Sequence, residues 1–236
     1  MKPIADRLKE KDWQQITTTL HRDGFVIVKN MLTAKECDAF VEDYNADNTY
    51  RKTINMERYR FGAGEYKYFS YPLPPLITQL REGVYPYIVP VANRWMTELG
   101  LATRFPASHA EMKELCNNHG QTKPTALILK YGEGGFNTLH QDLYGEVYFP
   151  MQIVFILDQP DEDFTGGEFV ITEQIPRAQS KANVLKPGKG DMIIFTTNFR
   201  PVKGSRGYYR VSMKHGVSPL HSGSRHSLGI IFHDGQ

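Results

Sequence analysis

The sequence predicts an α+β fold with a mainly β core, a sandwich or a barrel, that is buttressed by N-terminal helices. From about residue 125 onward, the chain consists of short runs rich in β-branched and aromatic residues, which is the composition of strands. Turns that contain glycine or proline separate these runs, as they do in sandwiches and barrels. Before residue 125, apolar residues recur at helical spacing over longer stretches.

The length of the chain indicates one domain. With 236 residues it can bury a sizeable core, and β-sandwiches and barrels commonly reach this size as single domains. We therefore expect one domain over residues 1–236, in which residues 1–124 are mainly helical support with a possible substrate lid and residues 125–236 form the β core. The hydrophobic content of 40% and the charged content of 23% are ordinary for a globular protein.

Charge and cysteine content narrow the class of protein. The net charge of +2 does not indicate a nucleic-acid-binding protein, although it leaves room for a local basic face. The two cysteines, Cys37 and Cys116, have neither metal-site nor disulfide spacing, so we expect a cytoplasmic protein. Residues 1–30 lack the pattern of a signal peptide, and the apolar run at residues 25–28 is too short to span a membrane, so no membrane association is expected.

The N-terminal half contains four helical patterns and one short strand. The predicted helices cover residues 1–20, 33–44, 74–99 and 108–118. The second begins at Thr33, which has Glu36 three residues on, the spacing of a capping box. Residues 25–28 follow an Asp-Gly turn and are predicted to form a strand. We interpret His109 and His119, in the last helical region, as packing or surface residues.

Residues 45–72 are less regular and combine aromatic and cationic side chains around Gly62 and Gly64. One interpretation is a strand and turn that cover the core. The other is a loop that faces the substrate as a lid, since loops on a rigid scaffold often carry recognition. We favour the first and leave the role of residues 58–71 open.

The C-terminal half is predicted to supply the strands of the core. The β runs cover residues 126–131, 147–157, 168–172, 192–196, 208–214 and 228–233. Glycine-rich turns lie between them, and Gly166-Gly167 is interpreted as a tight turn that lets the backbone pass close to a site.

Residues 140–142, His-Gln-Asp, are the first indication of a metal site. On an extended strand, positions two apart share a face, so His140 and Asp142 are predicted to project into the same space. With a second histidine from elsewhere, they would form the two-histidine, one-carboxylate site that is typical of non-haem Fe(II) oxygenases. His-x-Asp also occurs often by chance, so the alternative is a surface loop with two polar residues.

Four histidines of the β region could supply the third ligand. They are His215, His221, His226 and His233. We favour His215, which closes a β run, because Arg225 follows ten residues later and Ser227 two residues beyond that. His233 could instead be a structural cap at the end of the last apolar run.

Arg225 and Ser227 are predicted to share one strand face. A guanidinium binds a carboxylate bidentately and a hydroxyl adds one hydrogen bond, which suits the far end of a dicarboxylic co-substrate such as 2-oxoglutarate. The alternative for Arg225 is a surface salt bridge. Tyr131 could reach the same carboxylate, or it could be a strand residue with its hydroxyl at the surface. Gln152 is a polar residue in an apolar strand and must find a partner, so it is a candidate for the pocket wall.

These residues form a series of six motifs in a fixed order. The motifs are Tyr131-x-x-Gly134, His140-x-Asp142, the Phe-Thr-Gly-Gly-Glu-Phe stretch at residues 164–169, Gly190-Asp191-x-x-x-Phe195, His215-x-Val217 and Gly223-x-Arg225. The series resembles the Fe(II)/2-oxoglutarate-dependent dioxygenases and is most similar to their prolyl-4-hydroxylase-like branch. Within that branch it resembles a bacterial group of oxygenases described as acting in oxidative demethylation of damaged nucleic acid. The resemblance covers roughly residues 125–235.

The resemblance implies a double-stranded β-helix, or jelly-roll, fold. It also implies Fe(II) bound by His140, Asp142 and His215, with 2-oxoglutarate held by Arg225. Such enzymes use O2 to hydroxylate a C–H bond while 2-oxoglutarate is converted to succinate and CO2. The prolyl-hydroxylase branch commonly has lysine where Arg225 stands, so prolyl hydroxylation does not follow from the resemblance.

The sequence leaves three functions open. The first is hydroxylation of a small molecule or a protein side chain, and the second is oxidative demethylation of alkylated nucleic-acid bases. The third is a non-catalytic jelly-roll binding module, which is disfavoured because both the predicted ligand triad and the carboxylate anchor are present in the sequence. The second function could use a basic run as a groove for the nucleic-acid backbone, although a solvated strand and loop is the alternative that the low net charge favours. The run consists of Arg200, Lys203, Arg206, Arg210 and Lys214, interleaved with Tyr208 and Tyr209.

Overall fold

The computed structural model describes residues 2–46, 49–143 and 145–236. Within these ranges, five α-helices precede most of the β structure. They are α1 (Ile4–Lys9), α2 (Trp13–Asp23), α3 (Ala34–Glu42), α4 (Pro75–Glu98) and α5 (His109–Asn118). No helix in the described ranges is both long enough and apolar enough to cross a membrane.

The helix ends follow local sequence signals. The side chain of Thr33 accepts a hydrogen bond from the backbone of Glu36 and the Glu36 side chain accepts one in return, so the predicted capping box is present at α3. Ser108 and Glu111 form a second capping box at α5. Gly24 ends α2 with a φ of 80°, a left-handed conformation that glycine adopts at little cost.

Fifteen strands are formed by the described residues. In chain order they are β1 (Phe25–Val28), β2 (Tyr50–Asn55), β3 (Gly62–Ala63), β4 (Glu65–Phe69), β5 (Leu127–Tyr131), β6 (Phe136–His140), β7 (Met151–Ile156), β8 (Phe164–Gly166), β9 (Phe169–Gln174), β10 (Lys181–Leu185), β11 (Met192–Thr196), β12 (Phe199–Gly204), β13 (Gly207–Val217), β14 (Leu220–Gly223) and β15 (Arg225–Ile231).

The strands form two main antiparallel sheets. The larger sheet has the order β1-β11-β7-β15-β5-β4-β2, and the smaller has the order β10-β9-β13-β6-β3, with β12 paired to β13. Strands β14 and β8 form a separate two-stranded ribbon. Within the described residues the two main sheets stay separate, so the jelly-roll is a sandwich and not a closed hydrogen-bonded barrel.

Alternation along the strands of the larger sheet separates two apolar cores. On β7, Ile153 and Phe155 pack in the core that also contains the helices. Val154 and Ile156 point the other way, into a core shared with strands β9 and β13 of the smaller sheet. Successive strand residues face opposite sides, so Gln152 must lie on the same side as Val154, between the sheets. The side chains of the candidate active site lie on this inner side.

The predicted fold class, a mainly β core buttressed by helices, is confirmed, with differences in detail. The strand predicted at residues 25–28 is present as β1, and residues 50–69 form strands β2 to β4. Because these strands also join the sheets, the N-terminal half contains more strand than the mainly helical support that the sequence predicted. Short or polar strands such as β6, β10 and β12 are absent from the prediction, since they lack a clear apolar alternation. The predicted strand at 228–233 begins earlier, at Arg225, and ends at Ile231.

Candidate active site

His140 and His215 are brought together by strand pairing. Strands β6 and β13 are antiparallel, and their register places His140 directly opposite His215. The two imidazole centroids lie 4.2 Å apart. Strand β6 ends at His140, so Asp142 lies in the segment that follows and not on the strand itself. The predicted convergence of His140 and Asp142 therefore comes from the exit of the chain from β6.

The three side chains form a compact cluster. His140 Nε2 lies 3.5 Å from Asp142 Oδ1, and His215 Nε2 lies 3.3 Å from Asp142 Oδ2. One candidate ligand atom from each residue falls within 4.8 Å of the other two, so the group could hold a metal ion. Two imidazoles and one carboxylate form the facial donor set of non-haem iron sites.

Neighbouring groups hold the imidazole rings of His140 and His215 in place. His140 Nδ1 lies 2.7 Å from the carbonyl oxygen of Thr138, so this nitrogen carries the proton and donates it. The lone pair of Nε2 is then free and directed toward Asp142. The His215 ring packs between Phe169 and Phe195, at centroid distances of 6.0 and 4.8 Å.

The cluster also shifts the ionisation of its members. Burial opposes ionisation of Asp142, but the hydrogen bond from His215, the charges of both imidazoles and a hydrogen bond from Gln152 outweigh it and hold the pKa of that carboxyl well below its usual range. Burial, together with the neighbouring His215, lowers the pKa of His140. Asp142 is therefore ionised and His140 is neutral at neutral pH, the states that bind metal.

Gln152 touches two members of the cluster. Its Nε2 donates a hydrogen bond of 2.7 Å to Asp142 Oδ2 and lies 3.3 Å from His215 Nε2. The sequence placed Gln152 in a pocket wall, and the side chain does line the cavity. Its contacts, however, are with the candidate metal ligands.

Arg225 is a buried cation that, among the described residues, has no carboxylate partner. Its exposed fraction is 1%, its Nη1 donates to Ser227 Oγ at 3.3 Å, and its Nε has no hydrogen-bond partner. No ion pair involving Arg225 is formed within the described ranges, where Asp158 pairs with His226 and Glu168 with Lys186. Burial lowers the pKa of Arg225. A buried guanidinium without an anion is costly unless a ligand supplies one.

Tyr131 lies under this guanidinium. The Arg225 Cζ atom is 5.6 Å from the centroid of the Tyr131 ring, and the Tyr131 hydroxyl accepts a hydrogen bond from Asn137 Nδ2 at 3.4 Å. Burial raises the pKa of Tyr131 to about 12, against the opposing effect of the Arg225 charge. Tyr131 is fully buried, so its hydroxyl does not lie at the surface and is protonated at neutral pH.

Gly167 allows the backbone to approach Arg225 closely. Its φ is +62°, and a Cβ at this position would lie 2.5 Å from Leu220 and 3.1 Å from Arg225 Cδ. Any larger residue would push against the guanidinium side chain. The predicted tight turn at Gly166-Gly167 therefore lies where the Arg225 side chain is packed.

All seven residues that the sequence singled out line one cavity of about 300 Å³. They are His140, Asp142, His215, Arg225, Ser227, Tyr131 and Gln152. Tyr66 and Tyr68 also line it; burial raises the pKa of both. Both belong to the aromatic and cationic segment at residues 45–72, whose role the sequence left open. Their alternation with Glu65, Lys67 and Phe69 on β4 is the signal that could have assigned them to the cavity.

The other candidate histidines lie elsewhere. His226 faces the opposite side of β15, where its Nδ1 is 3.0 Å from Asp158 Oδ2. His233 is buried, and its Nδ1 accepts a hydrogen bond from the backbone N–H of Phe149 at 3.0 Å. His221 is exposed on β14. His109 is buried beside Tyr85, and His119 is exposed, as the sequence indicated for both.

The basic run at residues 200–214 is divided between two faces of its sheet. Lys203, Arg210 and Lys214 are exposed, and the alternation on β13 places Lys214 opposite to His215. Arg200 lies on the other face and pairs with Glu173 at 2.9 Å. The exposed part of the run therefore lies on the side of the sheet that faces away from the cavity.

Two curated relatives match much of the chain. They are the uncharacterized proteins Rv2227 and MT2286 of Mycobacterium tuberculosis strains ATCC 25618 / H37Rv and CDC 1551 / Oshkosh. Each is 45% identical over 166 residues, which cover 70% of this chain and 71% of the relative.

The fold is also similar to solved structures. A prolyl-4-hydroxylase from Pseudomonas putida superposes with a TM-score of 0.56 at 14% identity, and the match covers 94% of this chain and 100% of that protein. An oxidoreductase of the 2OG-Fe(II) oxygenase family from Burkholderia pseudomallei gives a TM-score of 0.57 at 16% identity, with coverage of 96% and 94%. At these identities the likeness concerns the fold, which both share with this jelly-roll.

A family model identifies the class. The model described as "Oxygenase, catalysing oxidative methylation of damaged DNA" matches residues 64–235. This range contains all seven cavity residues above and most of both sheets. The expectation of an enzyme of the oxygenase class is thereby confirmed. The chain belongs to this family of oxygenases.

Proposed function

We propose that the protein is an Fe(II)- and 2-oxoglutarate-dependent dioxygenase that hydroxylates a C–H bond of its substrate and releases succinate and CO2. One observation carries the proposal. A His-Asp-His cluster with metal-ligand geometry shares a cavity with a buried guanidinium that has no carboxylate partner in the described part of the chain. The first group suits a metal ion, and the second suits the anionic end of a co-substrate.

The metal assignment rests on the donor set. His140, Asp142 and His215 would provide three ligands on one side of the ion and leave the side toward the cavity for the co-substrate, O2 and solvent. The hydrogen bond from His140 Nδ1 to Thr138 leaves Nε2 as the donor atom. Gln152 would hold the Asp142 oxygen that faces it, in the way that outer partners orient metal ligands.

The co-substrate assignment rests on Arg225. A dicarboxylate that reaches from the metal into the cavity would give the guanidinium the anion that the described residues do not supply. Ser227 shares this face of β15 and would donate its hydroxyl. Tyr131, protonated and directly beneath the guanidinium, would donate a second hydroxyl hydrogen bond.

When bound, Fe(II), 2-oxoglutarate and O2 would supply the oxidising chemistry, in which one oxygen atom would enter the substrate and the other would enter succinate as CO2 leaves. The contribution of the chain is binding, orientation and exclusion of water. Leu127, Leu129 and Val217 give the cavity an apolar wall. The substrate would then enter a site in which few water molecules compete for the oxidant.

Oxidative demethylation of alkylated nucleic-acid bases is the second candidate. The description of the matched family, which names damaged DNA, favours it. Hydroxylation of an N-methyl carbon gives an unstable product that releases formaldehyde, so the same site would serve both reactions. A non-catalytic binding module is the third candidate, and the complete donor set argues against it.

Two experiments test the proposal together. Equilibrium dialysis under anaerobic conditions should give about one Fe(II) per chain, and aerobic incubation with 2-oxoglutarate should release succinate. The variants His140→Ala, Asp142→Asn and His215→Ala should lose both properties, whereas His221→Ala, which removes an exposed histidine, should keep them. Full succinate formation by His140→Ala would refute the metal assignment.

We also infer that residues 1–236 form one domain in the cytoplasm. Strand β1 pairs with β11 and strand β4 with β5, so the N-terminal half is continuous with the β core. Both cysteines are unpaired and buried, which suits a reducing compartment. Burial raises the pKa of Cys37 to about 12, so its thiol is unreactive.

A further inference from the structure

We propose that residues 58–61, Arg-Tyr-Arg-Phe, form a platform at the mouth of the cavity on which unpaired bases of a single-stranded nucleic acid stack. The two arginines would contact the phosphates of the same strand. This rim platform rests on the proposed function, since it would present one base to the oxidising site. It narrows the substrate class to nucleic acid with unpaired bases.

The first observation is an exposed aromatic pair. Tyr59 is 49% exposed and Phe61 is 46% exposed, yet their rings stack on each other, with centroids 5.6 Å apart and planes at 19°. Large apolar side chains that remain in solvent and adjoin a cavity mark a binding surface. Because the rings are nearly parallel, a third flat ring can continue the stack.

The second observation is the position of the pair. Phe61 lines the cavity that contains His140 and Asp142 while almost half of its surface stays in solvent. It therefore lies at the boundary between the cavity and the outside. Among the described residues, the cavity lining includes Phe61 but not Tyr59, so Tyr59 forms the outer ring of the stack. A strand that stacks on the platform would have its next base directed toward the metal cluster.

The third observation is that the platform is held rigidly. Thr138 donates two hydrogen bonds to the carbonyl oxygen of Phe61, from its backbone at 2.9 Å and from its hydroxyl at 2.8 Å. Gly62 pairs with Asn137, and the backbones are so close that a Cβ on Gly62 would lie 2.2 Å from the carbonyl oxygen of Phe136. A preformed stack costs less conformational entropy on binding.

Charge distinguishes nucleic acid from an apolar partner. Arg58 and Arg60 are exposed, and neither side chain forms an ion pair within the described ranges of the chain. Glu57 is the acidic neighbour in the segment. Arginines that alternate with stacked aromatic rings match a phosphodiester strand, in which charge and planar bases also alternate.

The platform is distinct from two other features that suggest nucleic acid. It precedes residue 64, where the match to the family model begins, so it lies outside the matched part of the chain. It is also separate from the exposed part of the basic run, Lys203, Arg210 and Lys214, which lies on the side of the sheet away from the cavity. The two surfaces can therefore be tested against each other.

The experiment measures binding of a fluorescein-labelled oligothymidylate of about 12 nucleotides by fluorescence anisotropy, at several salt concentrations. Wild-type protein should bind it at low salt, and more tightly than the same strand in a duplex with oligoadenylate. The double variant Tyr59→Ala/Phe61→Ala should bind roughly 5- to 100-fold more weakly, the usual effect of removing stacking partners. The variant Arg58→Gln/Arg60→Gln should reduce the slope of log K against log salt by about 1.4, the value for two contacts with single-strand phosphates.

The control is Lys203→Gln/Lys214→Gln, which removes the same charge from the basic run and should leave binding unchanged. Tyr208→Ala, a change to an exposed tyrosine on that run (37% exposed), is the control for the aromatic change. Circular dichroism melting curves identify any variant that fails to fold, and the single change Tyr59→Ala then replaces the double change.

The outcomes separate this inference from the proposed function. Wild-type protein that releases succinate but binds no oligothymidylate at low salt would overturn the platform and leave the dioxygenase proposal intact. Equal loss of binding in the lysine control and the arginine variant would also overturn it. Wild-type protein that binds the strand but neither binds Fe(II) nor releases succinate would instead overturn the proposed function.

Discussion

The amide of Gln152 lies 2.7 Å from Asp142 Oδ2 and 3.3 Å from His215 Nε2, so one uncharged side chain touches two of the three candidate metal ligands. Gln152 is buried near the start of β7, between the apolar residues Met151 and Ile153. A buried amide in such a strand requires partners. The ligands supply them, and in return Gln152 restricts the orientation of the Asp142 carboxylate.

Gln152→Leu should weaken Fe(II) binding roughly 10- to 100-fold, the usual effect of removing an outer partner of a metal ligand. The variant should still fold, since leucine suits an apolar strand. Gln174→Leu, at an exposed glutamine, provides the matched control. Competition with a fluorescent metal chelator gives both affinities, and wild-type affinity in Gln152→Leu would show that the amide has no role in positioning the ligands.

For Gln152, the sequence predicts the position of the side chain but not its partners. Strand alternation predicted that Arg225 and Ser227 share one face, because a period of two is a local property of the chain. Gln152 was predicted to lie in the pocket wall because it is a polar residue in an apolar strand. All three side chains line the cavity. The sequence did not, however, identify the residues that Gln152 contacts. Its actual partner Asp142 is set by the exit of the chain from β6, which no local pattern encodes.

The third member of the cluster, His215, was predicted from its neighbours in the sequence, and the strand register explains its position. His215 was preferred over His221, His226 and His233 through the residues that follow it. The antiparallel pairing of β6 with β13 then explains why His215 faces His140. The short polar strands and the division of the basic run between two faces could not be predicted, since both depend on pairings between distant segments.

Arg225→Met should strongly weaken the binding of 2-oxoglutarate while stabilising the fold. The guanidinium is buried without a carboxylate partner among the described residues, so its removal relieves a desolvation cost and should raise the free energy of unfolding by roughly 1–3 kcal/mol. The KM for 2-oxoglutarate should rise roughly 100-fold or more, because the charge-assisted contacts are lost. Chemical denaturation and a succinate assay measure the two effects.

The matched variant at this end of the cavity is Ser227→Ala, which removes one hydroxyl and should raise the KM only several-fold. Added 2-oxoglutarate should raise the melting temperature of the wild-type protein loaded with Mn(II), because a ligand that binds the native state stabilises it. It should have no such effect on Arg225→Met. An unchanged KM in Arg225→Met would exclude Arg225 from the co-substrate site.

The buried pair Arg81–Asp234 should dominate the stability of the C-terminal end. Arg81 Nη2 lies 2.7 Å from Asp234 Oδ1, with side-chain exposures of 2% and 1%, and Arg81 Nε donates to the carbonyl oxygen of Ile231 at 2.8 Å. Arg81→Met should reduce the free energy of unfolding by roughly 3–5 kcal/mol, because it leaves an unpaired buried carboxylate. Urea denaturation measures this loss.

The double variant Arg81→Met/Asp234→Leu should recover part of the loss, since it leaves neither charge behind. Arg22→Met, which breaks the exposed pair with Asp23, should leave the stability nearly unchanged. The single variant Asp234→Leu completes the comparison. If the double variant loses as much free energy of unfolding as Arg81→Met and Asp234→Leu lose together, the two charges do not interact, and the attribution to the pair is wrong.

His109 should make the stability fall as the pH is lowered. Its ring is buried, with 6% exposed, and Nε2 lies 3.0 Å from the carbonyl oxygen of Phe232, to which it donates. Burial, assisted by the positive charges of Arg81 and Lys113, lowers the pKa of His109 to about 3, although the hydrogen bond to Phe232 opposes the shift. The unfolded chain has the ordinary value of about 6.5. Between these two pH values, the unfolded state binds a proton that the folded state does not bind.

The free energy of unfolding should therefore decrease by roughly 1.4 kcal/mol for each pH unit by which the pH is lowered from about 6.5 to about 3. Above about pH 6.5, titration of His109 should no longer change it. His109→Gln cannot titrate and keeps a side-chain N–H donor. Its stability at pH 8 should be lower than that of the wild type, because the ring packing is lost, but its dependence on pH should be shallower by the same slope. Urea denaturation of both proteins at pH 8, 6, 5 and 4 measures the difference. Parallel curves for the two proteins would mean that His109 is protonated equally in the folded and unfolded states.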